Sequence, residues 1–162
     1  MTRRRWWWGG LVGIFMMAGA MAGCSGGGDD GDGHPTGGGC VLVGEREPNA
    51  TFLTAQFLGD LFLDDCVAAA GSLFDPADVD SYRVVIHESL RLVATLDHSP
   101  VVDFDMQLFD ADTGTLILDC GSNAVPEVCV VPFVVGARDI AVDIVITSVV
   151  GAGTYTLALD AR

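Results

Sequence analysis

The chain has 162 residues, half of them hydrophobic, and a formal charge of −14 from 22 acids against eight arginines and no lysine. This balance excludes nucleic acid as a natural partner, because binding it takes a basic face, and it disfavours attraction to anionic lipid. It favours solubility and divalent cations.

In chain order, the first element is a charged start, Arg3-Arg4-Arg5, followed by an uncharged run from Trp6 to Gly23. A positive start, an apolar middle and small residues at a cut site make a secretory signal. The run is 18 residues long and contains five glycines, which makes it a poor permanent membrane helix. It ends Met21-Ala22-Gly23-Cys24. That ending resembles the lipobox of bacterial lipoproteins, with Met21 where the family usually has Leu. The resemblance implies cleavage between Gly23 and Cys24, a diacylglyceryl group on the Cys24 thiol, and residues 1–23 as a lipoprotein signal peptide. Each buried acyl methylene contributes about 0.8 kcal/mol, so two or three chains anchor stably. Ser25, rather than Asp, follows the cysteine. By resemblance to Gram-negative sorting rules this implies the outer membrane.

Residues 24–39 continue as a Gly- and Asp-rich linker with nothing to bury in a core. A tether of this length and composition spans about 20–25 Å. His34 among Asp29, Asp30 and Asp32 is read as part of a solvated spacer, since such a tether offers a metal no fixed geometry. With residues 1–23 removed, five arginines face 22 acids, a formal −17.

Four further cysteines, Cys40, Cys66, Cys120 and Cys129, allow three disulfide pairings in an exported chain. Cys120 and Cys129 are close in sequence and flank a turn-like Gly121-Ser122-Asn123, which favours joining them and leaves Cys40 with Cys66. Each bridge contributes about 2–4 kcal/mol by loop closure. No Cys-x-x-Cys is present, and the spacing matches no zinc pattern.

From residue 40 to 162 the chain reads as one domain with a dominant period of two, the mark of strands. Strands are expected at 67–73, 81–87, 90–96, 104–109, 115–119, 127–135, 139–147 and 154–160. Residues 51–58 are read as one short helical turn. Leu90, Leu92, Ala94 and Leu96 alternate with Arg91, Val93 and Thr95. Ile140, Val142, Ile144 and Ile146 alternate with a mixed face holding Asp143 and Thr147. Asp110-Ala111-Asp112-Thr113-Gly114 is a hairpin loop with glycine at a positive-φ position, and it lacks the later Glu of an EF-hand. Gly151-Ala152-Gly153 marks another turn. Short strands at this spacing predict an all-β fold: a single antiparallel, jelly-roll-like β-sandwich of about eight strands.

Four stretches carry a second resemblance. These are Glu45-Arg46-Glu47-Pro48-Asn49-Ala50-Thr51, Asp78-Val79-Asp80-Ser81-Tyr82, Asp103-Phe104-Asp105-Met106-Gln107-Leu108-Phe109-Asp110, and Gly153-Thr154-Tyr155-Thr156-Leu157. In this order they resemble the bacterial pre-peptidase C-terminal domain, over residues 45–160. The resemblance implies a β-sandwich accessory module that usually rides beside exported enzymes, with some members binding matrix polymers and some binding calcium. On the matching positions it implies Glu45, Glu47, Asn49, Asp78 and Asp80 as calcium ligands. Calcium takes six to eight hard oxygens, so acids drawn from two segments make chemical sense. Ala50 stands where the family often has Asp, which removes one ligand and one charge.

No catalytic constellation is expected. His87 lacks the second His of a zinc-hydrolase helix, His98 is read as lying in a loop beside Asp97, and there is no Gly-x-Ser-x-Gly. Phe57, Phe62, Phe74 and Phe109 are the aromatics placed outside the core, too few for an obvious carbohydrate platform. The sequence thus reads as a non-enzymatic, lipid-anchored envelope module that binds an envelope protein or an extracellular polymer. The alternatives are a purely structural envelope lipoprotein and an accessory module of a secreted hydrolase system. Labelled palmitate is expected to enter the wild-type protein and not Cys24→Ala, and equal labelling of both would refute the anchor.

Overall fold

The computed structural model describes residues 39–162 apart from positions 123 and 137. The expected signal peptide (residues 1–23), Cys24, His34 and all but the last residue of the expected linker lie outside the described residues. The described chain forms ten strands: β1 (Val41–Gly44), β2 (Gln56–Leu61), β3 (Cys66–Leu73), β4 (Val79–Ile86), β5 (Leu90–His98), β6 (Asp103–Asp110), β7 (Thr115–Asp119), β8 (Glu127–Phe133), β9 (Ile140–Val150) and β10 (Gly153–Ala161).

They make two five-stranded sheets, ordered β1-β3-β10-β5-β8 and β2-β4-β9-β6-β7. Strands β3 to β10 carry a jelly-roll pairing, four in each sheet. The two strands that the period of two did not predict, β1 and β2, each add to one sheet edge. They run parallel to β3 and β4, and all other pairings are antiparallel. Among the described residues the sandwich therefore has ten strands, the eight expected and these two.

Residues 51–58 are not one helical turn. A turn closes from Thr54 N–H to the Thr51 carbonyl at 2.9 Å, and β2 begins at Gln56. β2 escapes a pattern search because its register slips between Phe57 and Gly59, so alternation is lost in six residues. β1 is four residues long and mostly exposed, with no hydrophobic face to betray it.

Alternation fills the core. Leu92, Ala94 and Leu96 from β5 meet Phe104, Met106 and Leu108 from β6, with Ile144 and Ile146 from β9 and Leu157 and Leu159 from β10, all fully buried. The mixed outward face of β9 is partly sealed from solvent. Asp143 is 1% exposed and Val145 is also buried. Segment 46–55 explains part of this, since Phe52 packs on Phe109 with ring centroids 5.1 Å apart and accepts at its carbonyl from Arg83 Nη2 at 3.0 Å. The Arg83 fork holds the Asp143 carboxylate at 2.6 and 2.7 Å, a bidentate pair that satisfies the buried charge.

Gly114, in the β6–β7 hairpin, has φ of 67°, and Asp110 Oδ1 accepts from the Asp112 and Thr113 amides. Gly151, between β9 and β10, has φ of 87°. Both disulfides join the expected partners, Cys40 to Cys66 and Cys120 to Cys129.

The chain crosses from the first sheet to the second three times at the same pole, through residues 45–55, 74–78 and 99–102, and the first two crossings carry the acids. The register places this upper pole at the ends of β1, β3 and β5 and the starts of β2, β4 and β10. At this pole Gly71 pairs with Tyr155. A Cβ at position 71 would overlap the Tyr155 hydroxyl and lie 2.7 Å from the Tyr82 hydroxyl. Gly71→Ala is therefore expected to cost about 1–3 kcal/mol by overpacking, read as a lower midpoint in urea denaturation; an unchanged midpoint would contradict this packing.

Candidate metal centre

The first crossing begins where β1 ends. The Glu45 amide donates to the Ala70 carbonyl at 2.9 Å, which extends the β1–β3 pairing and turns the Glu45 side chain along the sheet edge. Its Oε2 accepts from the Ser72 amide at 2.9 Å, and its Oε1 accepts from Asn49 Nδ2 at 3.2 Å. Glu47 Oε2 accepts from the Asn49 amide at 2.9 Å, so it is held by its own loop while remaining exposed. Asn49 is fully buried, and its carbonyl accepts from the Ser81 amide at 2.9 Å, tying the loop to β4.

The second crossing delivers Asp80. Its strand alternates so that Asp80, Tyr82, Val84 and Ile86 face inward, and Asp80 is fully buried. Tyr155 donates to Asp80 Oδ2 at 2.5 Å, and the Tyr155 and Tyr82 hydroxyls are 2.7 Å apart. Glu45, Glu47 and Asp80 thus each offer an oxygen within 4.8 Å of the others.

Three carboxylates at this spacing repel, and burial penalises the charge further. Burial first, then the Glu45 carboxyl as hydrogen-bond partner and as a nearby charge, push Asp80 up to about 8, while the Tyr155 hydrogen bond works the other way. Burial also pushes the Tyr82 and Tyr155 hydroxyls up, so both stay neutral donors. In the cation-free protein at neutral pH, Asp80 therefore keeps a proton.

The residues fit a hard cation. All the donors are oxygens, and calcium–oxygen bonds of about 2.3–2.6 Å put opposed ligands up to about 5 Å apart. Two buried oxygens, Asn49 Oδ1 and Asp80 Oδ1, have no protein partner. Buried polar atoms are rarely left unpaired in folded proteins. Nitrogen and sulfur ligands, which zinc favours, are absent from the cluster.

Of the five positions implied by the family resemblance, the structure brings Glu45, Glu47 and Asp80 together, with Asn49 hydrogen-bonded to both glutamates. Asp78 is not part of the cluster. Its two oxygens accept from the Phe74 and Val79 amides at 2.7 and 3.0 Å and close the 74–78 turn. Ala50 is exposed, so a carboxylate there is not what completes the buried part. The residues that sequence reasoning left without a role are Tyr82, Tyr155, Gly71 and Ser72. Both tyrosines stand in the quoted motifs, Asp78-x-Asp80-x-Tyr82 and Gly153-x-Tyr155, and that position was the available signal.

One histidine differs from its expected setting. His98 ends β5 and is buried, rather than lying in a loop. Asp97 is exposed on the opposite face of the strand. His98 Nδ1 is 3.1 Å from the Ser99 carbonyl. His87 follows β4 and contacts Asp60 and Asp139. The exposed aromatics Phe57, Phe62 and Phe74 are joined by Phe52, while Phe109 is half-covered by Phe52.

No family model matches the chain, and no curated protein matches it. Among solved structures, the chain is similar to the pre-peptidase C-terminal domain of collagenase from Bacillus anthracis. The identity is 15% and the TM-score 0.53, over 72% of this chain and 100% of that domain. A β-glucosidase from Paenibacillus barengoltzii aligns with 8% identity and a TM-score of 0.38, over 76% of this chain and 13% of that enzyme, too distant to carry an argument. The first likeness shows the fold alone: the β-sandwich is arranged like that pre-peptidase C-terminal domain.

The raised Asp80 carboxyl fixes a sign for stability. Unfolded, it loses its proton near its ordinary value of 3.8; folded, it holds the proton to about 8. Its contribution is complete below about pH 4 and is lost as pH rises towards 8, with a slope of up to about 1.4 kcal/mol per pH unit. In chelator, the wild-type urea midpoint is therefore expected to fall relative to Asp80→Asn between pH 4 and 8. Parallel curves would contradict a buried, protonated Asp80.

Proposed function

We propose that this chain is an exported, lipid-anchored envelope protein whose β-sandwich is a non-enzymatic binding module with a calcium site at its upper pole. The observation that carries the calcium reading is the convergence of Glu45, Glu47 and Asp80 beside two buried oxygens without partners. A bound calcium ion supplies the positive charge that a proton otherwise brings to this cluster. Asn49 orients both glutamates, and the tyrosine pair excludes water from the inner side of Asp80. The first two crossings of the chain would then be joined by one ion.

The export and anchoring part rests on the charged start, the apolar run and Cys24 within its lipobox. Two disulfides fit an oxidising compartment. The non-enzymatic reading is supported by the placing of the histidines: both His87 nitrogens lie on carboxylates, and exposed Asp97 is on the opposite strand face from buried His98. A partner drawn from the envelope or from an extracellular polymer follows from the module's resemblance. The net acidity points to a neutral or cationic one.

Titration calorimetry of the mature protein at neutral pH is expected to show calcium binding with release of about one proton, seen as a dependence on the buffer's ionisation enthalpy. Affinity should rise with pH up to about 8, where Asp80 no longer holds its proton. Asp80→Asn should abolish the proton release and weaken binding at least tenfold, about 1.4 kcal/mol. No heat at millimolar calcium would end this reading.

A further inference from the structure

The lower pole, opposite the acid cluster, carries a second titratable arrangement. His87 comes directly after β4. Its Nε2 lies 2.7 Å from Asp60 Oδ1 on β2, and its Nδ1 lies 2.9 Å from Asp139 Oδ2, the residue before β9. The Phe62 ring stacks on the imidazole with centroids 4.8 Å apart and planes 12° from parallel. The His87 amide donates to the Leu61 carbonyl at 3.3 Å, so the backbone on which the ring turns is itself tied down.

A neutral imidazole has one N–H and one bare lone pair, and an ionised carboxylate offers only lone pairs. Both contacts are kept together only if both ring nitrogens carry protons. We propose that His87 is a proton-operated clamp: as imidazolium it joins β2 and the β8–β9 connection to the end of β4, and as neutral imidazole it releases one of them.

The surrounding charges leave this role to Asp60 and Asp139. Glu88, the next residue, accepts from the Leu63 amide at 2.6 Å, and Asp65 accepts from the Phe62 amide at 2.9 Å. Arg138 pairs with Asp112 at 2.5 Å, so the cation nearest in sequence to Asp139 has its own carboxylate. The hydrogen bond to Asp60 raises the His87 imidazole above its ordinary 6.5, desolvation opposes this, and Asp139 adds to the rise by charge and contact. The clamp is therefore complete below about pH 6.5 and is lost as pH climbs through the raised value. Both carboxylates are about half exposed, so solvent screens the pairs and the effect is local. Both poles lose stabilisation as pH rises: the Asp80 carboxyl gives up its proton and the His87 clamp opens.

The test is a nitrogen-15 titration of the mature wild-type protein by NMR, with the His87 ring identified by its absence in His87→Gln. The expected result is a His87 midpoint above 6.5, with both ring nitrogens protonated on the acid side. Asp60→Asn and Asp139→Asn should each shift the midpoint down. The backbone amides of Leu61 and Asp139 should move with the wild-type midpoint. A wild-type midpoint at or below 6.5, variants that leave it in place, or amides that do not follow it would each overturn the clamp.

Discussion

A carboxyl group buried between two sheets governs this molecule. Asp80 lies on the inner face of β4, receives the hydroxyl of Tyr155 from β10, and shares its surroundings with Glu45 from the edge of the first sheet. An ionised, unpaired carboxylate in that position would be strongly unfavourable. The group must carry a proton or be matched by a cation. Either way the polar knot connects the two sheets at a place where side-chain packing alone would leave the upper end open. Tyr82, bonded to Tyr155 and facing Glu45, completes a connected network, and such networks stabilise only when their members are satisfied together. Gly71 fits the same constraint, because the two hydroxyls occupy the space where a side chain would start.

The acids meet there because of connectivity. β1 and β2 belong to different sheets, as do β3 and β4, and both connections pass over the same pole. Residues distant in sequence are brought face to face without any loop needing to be long or specially shaped. The edge position also explains why Glu47 can remain open to solvent while Asp80 and Asn49 are sealed. Such a site has a rigid floor on strands and a rim on a segment that is itself hydrogen-bonded to the floor through Asn49 and Ser81.

Much of the fold was legible because a strand with one buried face writes a period of two into its side chains. β5, β6, β8 and β10 did so most plainly. β2 did not, since a bulge at Phe57–Gly59 shifts the phase, and β1 is too short and too exposed to show one. Asp143 stands on a mixed face in sequence, and nothing local shows that the Arg83 fork holds it buried beside the Phe52 segment. The site was half legible. The motif order brings Glu45, Glu47 and Asp80 to notice, whereas nothing local says that Asp78 spends its oxygens on its own turn. The Tyr82–Tyr155 bond joins residues 73 apart and depends on how β4 and β10 face each other across the core. The contacts of His87 likewise come from the ends of two other strands, β2 and β9.

The Cys40–Cys66 bridge has a mechanical meaning. Cys40 immediately precedes Val41, Cys66 immediately precedes Val67, and those two valines are the first partners of the parallel β1–β3 ladder. Tension arriving along the chain from before Cys40 therefore passes through sulfur into β3 and bypasses the four-residue strand that would otherwise peel away first. β3 is paired along eight residues with β10, so the load meets that ladder in shear, with many hydrogen bonds resisting at once. A domain hauled by its leading end would yield at its interior sheet, and the acid cluster at the far pole would keep its shape until it did.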